Sequence, residues 1–151
     1  MGTDIHGFAE QRADDGTWHA VDYPGPWECP FDEHHYGIFG FLAGVRNIWN
    51  VPVLHPPRGF PDDASAVARA DYDDGGYGEH NHSWLLVSEL TAFDYDSVHL
   101  RTGQHGRHVP PPEPVPTPVR TTLGERFFVH LALLQALDEQ RTTRIVFYFD
   151  S

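Results

Sequence analysis

Alternating polar and apolar residues predict strands at both ends of the chain. Over residues 3–12 the alternation places Asp4 and His6 on one face, because successive side chains of a strand point to opposite faces. Residues 17–23 alternate again after a turn sequence, which predicts a hairpin with the first strand. Residues 144–150 are rich in β-branched and aromatic side chains, which predicts a strand in the centre of the same sheet.

The stretches between these strands contain helical patterns. Residues 122–139 carry an apolar stripe and open with the capping-box sequence Thr122-Leu123-Gly124-Glu125, which predicts one long helix. Residues 34–45 predict a short buried helix whose glycines allow another segment to approach closely, although a strand is the alternative there. Short helices are predicted over 64–70 and from Ser88 onward.

Turn-forming residues fill the connections. Residues 24–33 predict a surface loop, and the acidic, glycine-rich residues 71–79 predict a mobile loop. Residues 85–87 fit a short strand or a turn, and the proline-rich stretch 101–120 predicts an exposed polyproline-like connection. The sequence therefore predicts a single α+β domain over residues 1–151, with a mainly antiparallel sheet, one long C-terminal helix and extensive irregular loops.

Charge narrows the range of partners. The chain is an acidic protein with a formal net charge of -12, and arginine supplies all 10 of its basic side chains. Such a field repels a phosphate backbone, so a nucleic-acid duplex is not an expected partner. A single arginine can still bind a small anion through two parallel hydrogen bonds, so a small anionic molecule is the expected partner.

Cys29 is the only cysteine, which excludes an intramolecular disulfide and any site with several thiolate ligands. A lone thiol is typical of a cytoplasmic protein, and the sequence has neither a secretion signal nor an apolar run long enough for a membrane span. We therefore expect a cytoplasmic protein without a membrane partner, and we leave open whether it forms a homo-oligomer.

Two histidine-containing patterns suggest a metal site. Asp4 and His6 project together from the first strand, and His80 and His82 face the same way if the segment that carries them is extended. Carboxylate oxygens and neutral imidazoles are ligands for zinc or manganese, so these four residues are the predicted ligands of a divalent metal ion. The structural alternative is that Asp4 caps a turn and the histidines only form hydrogen bonds.

An anion site is the second candidate. Arg46 and Arg58 lie at the edges of irregular segments, where a guanidinium group can reach a phosphate or a carboxylate, and Trp84 would add a recognition surface. The alternative is that the arginines neutralise nearby carboxylates such as Asp62 and Asp63.

Short motifs resemble two protein families. Thr3-Asp4-Ile5-His6-Gly7 resembles the first metal motif of calcineurin-like metallophosphoesterases, but the bridging Gly-Asp motif of that family is missing, so we reject full membership. The chain is more similar to a family of small uncharacterised bacteriophage and bacterial proteins, which usually has cysteine at the third position. That resemblance brings no established activity, and it rests on Met1-Gly2-Thr3-Asp4-Ile5-His6, Leu42-Ala43-Gly44-Val45-Arg46-Asn47, Pro57-Arg58-Gly59-Phe60-Pro61-Asp62-Asp63, His82-Ser83-Trp84-Leu85 and Val146-Phe147-Tyr148-Phe149-Asp150.

Two functional hypotheses follow. The first is a metal-dependent hydrolase for a phosphoester or a similar small anionic, nucleotide-like substrate, with Asp4 and His6 as catalytic residues and Arg46, Arg58 and Trp84 binding the substrate. The second is a non-enzymatic phage-type protein that binds or sequesters a nucleotide-like ligand, or inhibits a host protein. The sequence leaves open whether the protein is an enzyme.

Overall fold

The protein has an α+β fold, and the computed structural model describes residues 2–103, 108–109 and 113–151. The strands are β1 (Asp4–Arg12), β2 (Trp18–Val21), β3 (Glu79–Leu86), β4 (Val98–Arg101), β5 (Val115–Pro118) and β6 (Thr143–Asp150). The helices are α1 (Tyr36–Ala43), α2 (Ala66–Asp73), α3 (Val87–Ala92), α4 (Val119–Leu123) and α5 (Glu125–Gln140).

Four strands form an antiparallel sheet in the order β2-β1-β6-β3, while β4 and β5 pair as a separate ribbon. The predicted hairpin of β1 and β2 and the inner position of β6 are both confirmed. One face of this sheet contributes Ile5, Leu85, Ile145, Phe147 and Phe149 to the hydrophobic core, which α1, α3 and α5 complete. We call the opposite face the outer face.

The helix α1 confirms the predicted buried helix, and its ends show why it forms. The ring of His35 accepts a hydrogen bond from the Ile38 backbone N–H at 3.2 Å and so caps the first turn. Gly44, with a φ of 74°, ends the helix in the left-handed conformation that favours glycine. At Gly40 a β-carbon would lie 2.6 Å from the side-chain oxygen of Asn47, so glycine is required for this close contact.

The long helix α5 is confirmed, but the predicted capping box at its start is wrong. Thr122 belongs to α4, and its hydroxyl group is hydrogen-bonded to His99 at 2.7 Å instead of capping α5. Gly124, with a φ of 81°, turns the chain between α4 and α5. Phe127, Leu131 and Leu134 then form the predicted buried stripe.

The segment 58–73, which includes α2, crosses the outer face. The side chain of Ser65 caps α2, because it accepts a hydrogen bond from the Ala68 N–H at 3.2 Å. The predicted 71–79 loop is wrong at its start, since α2 continues to Asp73. Asp71 accepts a hydrogen bond from the Tyr148 hydroxyl group at 3.0 Å, which anchors this last helical turn to the sheet.

Two other connections are more regular than predicted. The predicted short strand or turn over 85–87 covers the last two residues of β3, which begins at Glu79, and the first residue of α3. Within the predicted polyproline-like connection, residues 115–118 form β5 and α4 follows directly, while residues 104–107 and 110–112 lie outside the described residues. None of the helices in the described part of the chain is long and apolar enough to cross a membrane.

Candidate ligand site

The outer face has two contrasting ends. The histidine end consists of Asp4, His6, His82, Tyr148 and Asp150, near the start of β1. The other end, near the end of β1, contains a cleft of about 790 Å³. We call it the arginine–tryptophan cleft, and its lining residues are Arg12, Gly16, Trp18, Arg58, Phe60, Pro61, Asp62, Asp63, Trp84, Leu86 and Arg144.

The two imidazoles of the histidine end are separated by a phenol ring. His6 lies directly opposite Tyr148 in the β1–β6 pairing and stacks on it with ring centroids 5.3 Å apart. His82 stacks on the same ring at 5.0 Å, and it comes from β3 on the other side of β6. Strands two positions apart are separated by roughly 10 Å, whereas two nitrogen ligands each lie about 2 Å from a shared zinc ion.

His80 and His82 do not share a face, so the interpretation of this segment as regularly extended is wrong. The pairing of β3 with β6 shifts between His80 and Ser83, and Asn81 adopts a φ of 56°. Such a β-bulge adds one residue to the strand and breaks the alternation of side chains. His80 therefore lies on the core side, where its ring is hydrogen-bonded to the Ser151 hydroxyl group at 2.8 Å.

The carboxylates of the histidine end are exposed and form only single contacts with imidazoles. Asp4 lies 3.3 Å from a ring nitrogen of His34, and Asp150 lies 3.9 Å from a ring nitrogen of His6. Among the described residues, no group of three or more histidine, cysteine, aspartate or glutamate side chains is arranged to hold a metal ion. The divalent-metal site therefore stays a prediction from the sequence, without support from this geometry.

The electrostatics of His82 favour a neutral ring. Burial lowers the pKa of His82, because charging the imidazole would cost hydration that the protein does not replace. Its Nε2 atom is buried and has no hydrogen-bond partner within the described part of the chain. Burial and the hydrogen bond to Asp71 likewise raise the pKa of Tyr148. His82 and Tyr148 thus form a stacked pair of uncharged rings.

Arg46 and Arg58, predicted to bind one anion together, lie on opposite sides of the sheet. Arg46 donates a hydrogen bond to the buried Thr3 hydroxyl group at 3.0 Å, on the core side of β1. Thr3 is in turn hydrogen-bonded to Ser151 at 2.9 Å. Arg58 lines the arginine–tryptophan cleft on the outer face together with Trp84, so only these two of the three predicted binding residues are brought together.

A buried ion pair forms the floor of the cleft. Glu10 and Arg144 face each other across β1 and β6, with Arg144 Nε 2.8 Å from a Glu10 carboxylate oxygen. The second oxygen of Glu10 accepts the Ser65 backbone N–H at 2.8 Å, and Arg144 also contacts Asp63 at 2.9 Å. Glu10 is 0% exposed and Arg144 is 2% exposed. These charges are therefore satisfied by protein groups, as buried charges must be.

Guanidinium groups and indole rings alternate along one wall. Arg58 lies 4.4 Å from the ring of Trp84 and Arg144 lies 4.1 Å from the ring of Trp18. Arg58 also donates two hydrogen bonds to Glu89, at 2.7 and 2.5 Å, and one to the Trp84 carbonyl oxygen at 3.1 Å. Hydrogen bonding from Arg58 lowers the pKa of Glu89, so the pair stays ionised. The charges of Arg58 and Arg144 in this wall are therefore already matched by carboxylates.

Arg12 differs from the other two arginines of the cleft. Its side chain is exposed at the cleft and has no ion-pair partner among the residues that the structure describes. The exposed side chain of Asp62 lines the same opening. The cleft therefore contains one guanidinium group that can bind an anion without first breaking an ion pair.

Sequence reasoning identified Arg58 and Trp84 but missed Arg12, Trp18 and Arg144. A signal for Arg12 was available, because side-chain alternation places it on the same face of β1 as the predicted Asp4. Arg144 could not be assigned in this way, since its role depends on lying opposite Glu10, and the sequence does not give the register of β1 and β6.

Comparison of this chain with protein-family models, with curated proteins and with solved structures found no match. The similarity to small bacteriophage and bacterial proteins therefore stays a prediction from the sequence motifs. The geometry of the outer face is the basis for the functional proposal.

Proposed function

We propose that the protein binds a small anionic, nucleotide-like ligand in the arginine–tryptophan cleft. The observation that carries this proposal is Arg12, which has no ion-pair partner among the described residues and lies at the opening of a cleft whose wall alternates indole and guanidinium groups. The cleft volume of about 790 Å³ lies within the range of small-molecule sites, which is roughly 300–1,000 Å³.

The two parts of such a ligand match two parts of the cleft. A base is flat and stacks on indole rings and on guanidinium planes, both of which Trp84 and Arg58 provide. A phosphate group accepts parallel hydrogen bonds from a guanidinium group, which Arg12 provides at the opening. Arg58 contributes its guanidinium plane, because Glu89 already balances its positive charge.

The geometry supports binding over hydrolysis. The proposed catalytic residue His6 lies six positions before Arg12 on β1, which corresponds to roughly 20 Å along a strand. A ligand that contacts Arg12 is therefore out of reach of Asp4 and His6. Glu10 is buried and engaged by Arg144, so this carboxylate is not available as a general base.

Titration of the protein with nucleosides and nucleotides, followed by tryptophan fluorescence and calorimetry, tests the proposal. We expect Trp84→Ala to weaken binding about tenfold or more, because stacking on an aromatic ring contributes roughly 1–3 kcal/mol per base. Trp84→Phe should retain part of the affinity. Trp49→Phe is the matched control, since Trp49 contacts Arg101 and His35 and is not among the residues that line the cleft.

A second measurement separates binding from catalysis. The protein is incubated with the nucleotide that binds best and then denatured, and the released compound is identified by mass spectrometry. We expect the nucleotide to return unchanged. A converted product would support the hydrolase hypothesis, and failure of every nucleoside and nucleotide to bind would contradict the proposed function.

A further inference from the structure

We infer that the arginine–tryptophan cleft selects nucleotides that carry one negative charge, such as phosphodiesters, over terminal monophosphates and triphosphates. This inference rests on the proposed function and adds the charge of the ligand to it. The structural basis is the count of guanidinium groups in the cleft that are not already bound by carboxylates.

The positive charge of Arg58 is already balanced by Glu89. Both terminal nitrogens of Arg58 donate to the two carboxylate oxygens of Glu89, at 2.7 and 2.5 Å. One of these oxygens also accepts the Leu86 backbone N–H at 3.0 Å, which fixes the carboxylate at the start of α3. A phosphate that displaced Glu89 would leave this N–H and a carboxylate unpaired.

All three guanidinium nitrogens of Arg144 already have hydrogen-bond partners. Its Nε atom contacts Glu10, one terminal nitrogen contacts the Asp63 carboxylate at 2.9 Å, and the other contacts the Asp63 backbone oxygen at 3.3 Å. The guanidinium group is buried, so each of these hydrogen bonds also compensates for lost hydration. Arg144 thus contributes a flat surface and no available charge.

Arg12 is the remaining positive charge of the cleft, and nearby carboxylates limit how many ligand charges it can balance. Arg12 has no ion-pair partner in the described ranges, while Asp62 and Asp63 line the same cleft. The chain also has a formal net charge of -12. Arg12 can therefore match one phosphate charge, whereas a second or third charge meets carboxylates without a further unpaired guanidinium group among the described residues that line the cleft.

The chemistry of phosphate esters turns this count into a selectivity. A phosphodiester carries one negative charge at neutral pH, while a terminal monophosphate carries about two because its second pKa is near 6. A triphosphate carries more. The cleft therefore suits a cyclic nucleotide or another phosphodiester best among these classes.

The test is calorimetric titration at fixed ionic strength with adenosine, adenosine cyclic monophosphate, AMP and ATP, repeated with the uridine compounds. We expect the cyclic monophosphate to bind most tightly, the nucleoside more weakly, and ATP most weakly. Arg12→Gln should lower the affinity for the cyclic monophosphate about fivefold and leave that for the nucleoside unchanged. Asp62→Asn should raise the affinity for AMP by roughly two- to fivefold.

Two charge-changing controls lie away from the cleft. Arg120→Gln removes an exposed arginine that pairs with Asp96, and Glu139→Gln removes an exposed carboxylate on α5. Both should leave the order of affinities unchanged, which separates local charge from the overall field. Circular dichroism confirms that each variant is folded.

The outcomes separate this inference from the proposed function. Affinity that rises from cyclic monophosphate to AMP to ATP, with loss in Arg12→Gln, would overturn the charge selectivity and leave the cleft as the binding site. An unchanged affinity for AMP in Asp62→Asn would also overturn it. Absence of binding by all of these compounds would contradict the proposed function itself.

Discussion

The two ends of the outer face differ in whether their charged side chains are buried and paired or exposed to water. At the arginine–tryptophan cleft, the register of β1 and β6 places Glu10 opposite Arg144, and both charges are buried and compensated. At the histidine end, the same two strands place Asp4 opposite Asp150, and two like charges stay exposed to water. Like charges directly opposite each other destabilise a sheet, whereas opposite charges stabilise it.

This difference separates structural charge from charge that is available to a ligand. The buried side chains of Glu10 and Arg144 hold the segment 58–73 on the sheet, so their removal should affect the whole fold. Asp4, His6 and Asp150 of the histidine end are exposed, and their removal should have little effect on stability. Arg12 lines the cleft, but its side chain is exposed, so its charge is available to a ligand.

The largest effect on stability is expected for Glu10→Gln, which tests the structural role of the buried ion pair. The substitution leaves Arg144 buried with only Asp63 as a charged partner, and breaking a buried pair costs about 3–5 kcal/mol. We expect the free energy of unfolding, measured by urea denaturation, to fall by about 3 kcal/mol. The double variant Glu10→Leu/Arg144→Met is the control, since a well-packed apolar pair often restores the lost stability. Wild-type stability in Glu10→Gln would contradict the structural role.

Arg58→Gln should have the next largest effect. It removes the two hydrogen bonds to Glu89 and the contact with the Trp84 ring, and hydrogen bonds to charged groups contribute about 1.5–3 kcal/mol. Because both side chains are partly exposed, we expect a loss of about 1–2 kcal/mol of unfolding free energy. Arg58→Lys retains the charge but not the paired geometry, so it should recover only part of this loss. Full recovery would show that charge alone matters.

The pH dependence of the unfolding free energy tests whether the buried histidines are neutral. Burial lowers the pKa of His82 and of His130 below the unfolded value of about 6.5. The unfolded chain therefore binds protons first as the pH falls, so stability is present above pH 6.5 and decreases below it. We expect His82→Phe, which keeps a ring against Tyr148, to flatten the decrease in unfolding free energy between about pH 7.5 and 5.5. An unchanged slope would contradict the neutral stack.

The smallest effect is expected for His6→Ala. His6 is half-exposed and contacts Tyr148 and Asp150, so its removal should change the unfolding free energy by no more than about 0.5 kcal/mol. We also expect unchanged nucleotide affinity, and equal zinc and manganese content in both proteins by elemental analysis after purification without added metal. A higher metal content in the wild-type protein would restore the metal-site hypothesis and remove the contrast between the two ends.

Local sequence patterns accounted for most of the fold. Side-chain alternation predicted β1 and β2, the density of β-branched and aromatic residues predicted β6, and the helical period predicted α1 and α5, because these signals depend on neighbours along the chain. The capping-box prediction was wrong because the Thr122 hydroxyl group is hydrogen-bonded to His99, which is distant in sequence. Competition for a hydroxyl group between local and distant partners cannot be read from a four-residue motif.

The candidate site was predicted less completely, since it depends on strand order and register. Alternation correctly placed Asp4 and His6 on one face, but only the order of β1, β6 and β3 shows that Tyr148 separates His6 from His82. The bulge at Asn81 is equally invisible in the sequence, and it sends His80 to the other side. Arg58 was identified because it lies at the edge of an irregular segment, where a guanidinium group can reach an anion.

The bulge at Asn81 also protects an exposed border of the sheet. β3 is an edge strand, and an unpaired edge can recruit a strand from another molecule and start aggregation. The extra residue twists this edge, and the Gly59 backbone N–H occupies the His82 carbonyl oxygen at 2.8 Å. An intruding strand would find neither a straight ladder nor a complete set of acceptors, so this border resists intermolecular β-pairing.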